Sequence, residues 1–238
     1  MNNFNSIPIY IGYDYRERAA TNVLIDSLYQ RSSKPISITP LITSQLRESG
    51  LYKRERDPKQ STDFSFTRFL VPYLQNYQGW AIFMDCDMLC RRDIDELWKQ
   101  RDDQFALMCV KHEHIPSEKT KFLGEIQSAY PKKNWSSLML MNCEKCKNLT
   151  LHKVNNSSGL ELHRFIWLED DNLIGSIQGG WNFLIGEQEI SLEDLNSTNP
   201  PLVHWTLGGP WFNEQRDLKS SLNKEWFDYR NEIIKLWD

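Results

Sequence analysis

Asp85 and Asp87 stand two residues apart at the end of an apolar run, Trp80-Ala-Ile-Phe-Met-Asp85-Cys-Asp87-Met-Leu. In extended backbone, residues i and i+2 share a face, so both carboxylates can reach one cation at the end of a buried strand. Such a pair suits a hard divalent ion, Mg²⁺ or Mn²⁺, which takes oxygen ligands and keeps positions open for water or phosphate. Two solvated turn carboxylates closing a strand would read the same way, so other segments must decide. Cys86, between them, is expected to point to the opposite face and pack as a small apolar group.

A second segment is Val203-His204-Trp-Thr-Leu-Gly208-Gly209-Pro210-Trp211. A histidine at a strand end can be a third metal ligand, and glycines let backbone amides approach a phosphate closely. A histidine hydrogen-bonded within a Gly-Pro turn is the plainer alternative. Cys143 and Cys146 form one CxxC, but a zinc site needs a second pair or suitably spaced histidines, and His152 alone is thin support.

The elements that must position these residues are those of an α/β protein. Ile7 to Asp14 reads as a first strand, about Arg16 to Gln30 as a helix with Ala19, Ala20, Val23, Leu24 and Leu28 on its apolar side, and Ile36 to Ile42 as a second strand. This β-α-β opening implies a parallel sheet with helices on its faces. Residues 53 to 62 form a mixed-charge stretch expected to be a mobile loop. From Phe66 the apolar positions 66, 69, 70, 73, 74 and 77 fall at helical spacing, with a bend at Pro72 and with Ser65 and Arg68 off the stripe. Further strands are expected at 80 to 85, Phe105 to Val110, Ser136 to Asn142 and Pro201 to His204. Helices are expected at Asp93 to Trp98, Leu160 to Leu168 and Leu222 to Leu236.

The 238 residues are enough for one large α/β domain, residues 1 to 238, with a substantial core. A net charge of -4 and the lack of a basic block argue against nucleic-acid partners. No run approaches a membrane span and the first residues lack a signal-peptide pattern, so the expectation is a cytoplasmic protein. Five cysteines, odd and scattered, are expected to be reduced thiols. The many tryptophans and tyrosines read mostly as packing, although flat aromatic faces also stack on pyranose rings.

Taken in order along most of the chain, these segments resemble glycosyltransferase family 8. Gly12, Tyr13 and Asp14 match the family's nucleotide-binding first strand. Phe66-Thr67-Arg68-Phe-Leu-Val-Pro72 matches its arginine and proline helix, and Phe83-Met-Asp85-Cys-Asp87 its metal motif. Asp93 to Trp98 follows at the expected distance. Trp135-Ser136-Ser137 stands at its Asn-Ser-Gly strand, Glu169-Asp170-Asp171 and Trp181-Asn182 at its acidic and Trp-Asn segments, and His204 and Gly208 at its closing motif. Gly209 precedes Pro210 where the family commonly has lysine, so one positive contact to a diphosphate is absent or supplied elsewhere.

The resemblance implies a GT-A sandwich around a mostly parallel sheet, and transfer of a hexose, glucose or galactose, from a UDP-sugar with retention of anomeric configuration. Asp85, Asp87 and His204 would hold Mn²⁺ or Mg²⁺. Gly12, Tyr13, Asp14, Arg68, Cys86, Ser136, Trp181, Asn182, Gly208 and Gly209 make up the implied nucleotide-sugar set. Asp170 or Asp171, with Arg68, would serve the sugar and its anomeric carbon. The acceptor is not readable: a saccharide, lipid-linked sugar, protein or small metabolite. Ile115 to Lys133 is a candidate acceptor lid. Two rivals remain. One is a haloacid dehalogenase-type phosphatase, disfavoured by Leu89 in place of threonine or valine. The other is an inactive, transferase-like binding scaffold, for which the missing lysine speaks.

Overall fold

The computed structural model describes residues 6–57, 60–112, 132–186, 199–216 and 220–235. β1 (Ile7–Gly12) buries all three of its isoleucines. A short 3-10 turn, Tyr15–Glu17, leads into α1 (Arg18–Arg31), whose Ala20, Val23, Leu24 and Leu28 are buried at helical spacing. β2 (Ile36–Leu41) returns parallel to β1 and shows the alternating burial of an outer strand. Pro40 is tolerated there because an edge strand has a side with no ladder to complete. A one-and-a-half-turn helix, α2 (Thr43–Glu48), follows.

β3 (Trp80–Met84) lies parallel to β1 on its other side and is buried along its whole length. A strand covered on both faces reads as a continuous apolar run, as this one does. With β5 (Leu107–Cys109), β6 (Leu138–Asn142) and β7 (Ile174–Ser176) it completes a six-stranded sheet in the order β2-β1-β3-β6-β5-β7. β6 alone runs against its neighbours, so the sheet is mostly parallel, as the β-α-β opening implies.

At Asp85 the chain leaves this sheet, and by Met88 it has entered another. β4 (Met88–Cys90), β8 (Phe183–Leu184) and β9 (Leu202–His204) form a three-stranded sheet in the order β4-β9-β8. α7 (Ser221–Ile233) covers it, packing Leu222, Trp226 and Tyr229 with Leu89, Val203, Trp205 and Val23 of α1. None of the described helices is long and apolar enough to cross a membrane.

Three expected elements differ. The stripe from Phe66 is not one helix but a 3-10 turn, Thr67–Leu70, then the single turn α3 (Val71–Leu74) with Pro72 in its first turn, where a missing N–H costs little. Asn76 and Tyr77 then take left-handed conformations that end it. The helix expected over Leu160 to Leu168 breaks at Phe165, φ +57°, into α6 (Gly159–His163) and a 3-10 turn. The strand expected from Ser136 begins at Leu138, after a 3-10 turn, Trp135–Ser137. α4 (Ile94–Trp98) starts where expected, capped by Asp93. α5 (Leu151–Asn156) and the short strands β4, β7 and β8 carry no clear signal of their own.

Candidate active site

Asp85-Cys86-Asp87 is the whole link from β3 to β4, and the main chain holds both ends of it. Asp85 N–H donates to Ser137 O beside β6, and Trp205 N–H donates to Asp87 O beside β9, each at 2.9 Å. The register of β4 against β9 pairs Met88 with His204, which sets His204 next to Asp87. The three side chains converge: one ligand atom from each of Asp85, Asp87 and His204 lies within 4.8 Å of the others. Among the described residues this is the one cluster of that kind.

The hydrogen bonds around it define the histidine tautomer. Asn182 is fully buried and its amide donates to Ser137 Oγ at 2.9 Å, with His112 Nε2 3.0 Å away. Its Oδ1 therefore faces His204 Nδ1, 2.9 Å distant, and accepts the ring N–H. His204 Nε2 is left facing Asp87 Oδ1 at 3.2 Å. In the neutral ring both atoms are acceptors, so a proton or a cation must lie between them. Burial opposes a charge on His204, but Asp87 and then Asp85 outweigh it and raise its pKa. Asp85 is pushed up to about 6 by burial, with Arg68 pulling it back. Beyond the ion pairs with Arg68 and His204, neither Asp85 Oδ1 nor Asp87 Oδ1 has a hydrogen-bond partner. Two buried carboxylate oxygens and one imidazole lone pair are a donor set that fits Mn²⁺ or Mg²⁺.

Arg68 adjoins this cluster. It is only 5% exposed, so it is no surface salt-bridge residue despite lying off the apolar stripe. The guanidinium sits within 5.3 Å of the Phe64 ring and 5.0 Å of the Phe83 ring. Its Nη1 lies 3.0 Å from Asp85 Oδ1 and donates to Ser136 O at 2.8 Å, while Nε has no partner. Asp85, Asp87, His204, Arg68 and Ser136 open onto a cleft of about 720 Å³. Asp57, Gln60 and Thr62 form one wall, and Lys132, Ser158 and His163 another. The charged stretch at 53 to 62 has no helix or strand where it is described, yet it is tied down. Arg54 stacks on Phe66 at 4.0 Å and donates to Val154 O and Ser157 O.

The structure thus brings Asp85, Asp87, His204, Arg68 and Ser136 together and leaves other expected site residues outside the cleft. Gly12 backs onto the Phe64 ring, which a Cβ would strike, so its small size serves packing. Asp14 is fully buried under Arg16 and caps the turn that follows β1. Tyr13 is half-buried beside it. Cys86 points away from its two neighbours, as alternation demands, and its thiol donates to the buried Glu17 at 3.4 Å. Trp181 is a core residue, and Asn182 orients His204 rather than facing the cleft. Gly209 makes room for the Trp211 ring, and Gly208 supplies a left-handed turn, φ +94°. Asp170 and Asp171 are exposed: Asp170 caps a 3-10 turn, and Asp171 pairs with Lys132 at 2.6 Å. Most of the candidate lid, 115–131, lies outside the described residues; Lys132 and Lys133 line the cleft. Cys143 and Cys146 are buried free thiols, each near a carbonyl oxygen. His163 and Asn182, in its orienting role, are what the motifs did not reveal, because their partners lie far away in sequence.

Residues 14–155 match the model of glycosyl transferase family 8. The chain belongs to that family. A protein of Arabidopsis thaliana named Protein CDI is 52% identical over 213 residues, covering 89% of this chain and 82% of its own, and its name carries no activity. Among solved structures, the galactosyltransferase LgtC with donor and acceptor sugar analogs superposes with a TM-score of 0.60 over 98% of both chains at 12% identity. The glycosyltransferase GlyE of Streptococcus pneumoniae gives 0.59 at 16% identity, over 98% of this chain and 61% of its own. WbbM, a bifunctional glycosyltransferase, gives 0.61 at 12% identity over 96% of this chain, which spans about half of it, 52%. These likenesses establish the GT-A fold. Family membership sets aside the phosphatase reading and places the protein among the glycosyltransferases.

Proposed function

We propose that this chain is a metal-dependent, retaining hexosyltransferase that moves glucose or galactose from a UDP-sugar to an acceptor. One observation carries the reading: His204 Nε2 and carboxylate oxygens of Asp85 and Asp87 converge at the wall of a cleft large enough for a nucleotide sugar. A divalent cation held there would offset the negative charge that grows on the diphosphate leaving group. Arg68, braced by Asp85 and two phenylalanine rings, would bind the phosphate or the donor sugar. Lys132 and Lys133 line the same cleft and would supply the positive charge missing before Pro210. The sugar-positioning role of Asp170 or Asp171 draws no support from their exposed placement.

The second reading, an inactive nucleotide-sugar-binding scaffold, is favoured by that same placement and by Gly209. A panel of nucleotide sugars with Mn²⁺ separates the two. The transferase should release UDP slowly from UDP-glucose or UDP-galactose, lose this turnover in chelator, and regain it with Mn²⁺. Asp87→Ala should lower turnover by roughly a hundredfold or more, as expected when a charge-stabilising group is lost, with an unchanged circular-dichroism melt. A scaffold binds donor and releases nothing. Full turnover in excess chelator would remove the metal from the proposal.

A further inference from the structure

Asn182 holds the His204 ring on one side and meets a second histidine, His112, on the other. Asn182 is fully buried and left-handed, φ +58°, a conformation that asparagine adopts more readily than most residues. Its amide has two ways round, and one hydroxyl decides between them. Ser137 Oγ donates to Asn134 O at 2.7 Å, so it can only accept from Asn182, whose NH₂ group must face it, at 2.9 Å. The same amide nitrogen lies 3.0 Å from His112 Nε2. Its other N–H therefore points at that ring, and His112 Nε2 is the acceptor, a bare lone pair. The main chain around His112 is fixed as well: its N–H donates to Val110 O at 3.1 Å, and Trp135 Nε1 donates to its carbonyl at 3.0 Å.

The opposite arrangement shows what this lone pair does. A hydrogen on His112 Nε2 would meet the Asn182 NH₂ group donor to donor, and the amide would turn over to offer Oδ1 instead. Asn182 Nδ2 would then face His204 Nδ1, which accepts only without its proton. The neutral His204 ring would carry that proton on Nε2, the atom 3.2 Å from Asp87 Oδ1, and a protonated nitrogen binds no cation. We propose that His112 is a positioning residue for the metal centre: its lone pair, acting through the Asn182 amide, keeps the His204 proton on Nδ1 and leaves Nε2 open to a divalent cation. The assignment rests on the metal site of the proposed function. It extends that site to the residues that follow β5, 70 positions before Asn182 in the chain.

Calorimetric titration of the metal-free full chain with Mn²⁺ tests this. His112→Leu removes the acceptor and should weaken Mn²⁺ binding about three- to tenfold, the range of one lost hydrogen bond. His112→Gln can set its amide oxygen where Nε2 stands and should recover most of the loss. His112→Asn reaches only as far as Nδ1 and should not. Affinity for Mn²⁺ that is higher in the Gln variant than in both the Asn and Leu variants is an order that a packing role would not produce. In an Asn182→Leu background, His112→Leu should cost nothing further, since the path to His204 is already cut. The Gln and Asn variants still read the bond should His112→Leu not fold. Wild-type affinity in His112→Leu, equal affinities for the Gln and Asn variants, or a full further loss in the Asn182→Leu background overturns the assignment. Failure of wild type to bind Mn²⁺ overturns the metal site first, and this assignment with it.

Discussion

His204 Nε2 and Asp87 Oδ1 face each other at 3.2 Å because Asn182 holds the ring's proton on the far side. Metal binding by His204 as proposed would therefore depend on Asn182, which lies outside the cluster. Asn182→Leu should weaken Mn²⁺ binding about 10- to 100-fold, the usual effect of removing a ligand's hydrogen-bond partner. Titration of the metal-free chain with Mn²⁺ reads this directly, and an affinity equal to wild type would leave His204 orientation to strand packing alone. Arg68 is the second case. Arg68→Lys keeps a charge but loses the planar fork between Phe64 and Phe83, and donor KM should rise by about tenfold. Initial rates across donor concentrations measure it.

At the scale of elements, the site exists because β3 and β4 belong to different sheets and are separated by only three residues. Any shift of β9 along β4 would move His204 away from Asp87, since a one-residue slip turns alternate side chains to the other face. The turn that follows β9 is closed by Gly208 N–H donating to Trp205 O at 2.9 Å. Gly208 has φ +94°, and the atoms a Cβ would meet there lie at ordinary contact distance. Gly208→Ala should therefore cost backbone strain alone, about 1–2 kcal/mol, and lower Tm by a few degrees. A thermal melt without metal checks this, and an unchanged Tm would mean the turn relaxes freely.

At the scale of the molecule, the buried acids around Asp87 couple folding to pH. Burial, and next the charge of Asp87, pushes Glu17 up to about 7, and burial pushes Asp85 up to about 6. Both acids hold protons in the folded chain that the unfolded chain releases near 4, so folding binds protons over that range. His204, also raised, acts in the same sense at higher pH. With respect to these groups the metal-free protein should therefore be most stable below about pH 4 and lose stability steadily as pH rises from there through about 7, by an amount on the order of a few kcal/mol. Mn²⁺ competes with those protons, so its stabilising effect should grow with pH. Melts with and without Mn²⁺ from pH 5 to 8 test the sign, and a stabilisation by Mn²⁺ that shrinks with pH would contradict it.

That Asp85 and Asp87 share a face is legible in the sequence, because strand alternation alone puts them on one side and Cys86 on the other. The β-α-β opening and the buried run of β3 are legible for the same local reason, the period of apolar residues. Phe66 to Tyr77 misleads, since apolar spacing does not register a 3-10 turn or the left-handed Asn76 and Tyr77 that end the segment. The placement of Asp170 and Asp171 at the surface and of Gly12 against Phe64 is decided by packing between distant segments. So are the links from Asn182 to His204 and from His163 to Ser136, 22 and 27 residues apart. The chain by itself determined which side chains could do chemistry and the strands that carry them. Only the tertiary structure decided which reach the cleft, because hydrogen-bond partners and burial come from segments that no local period connects.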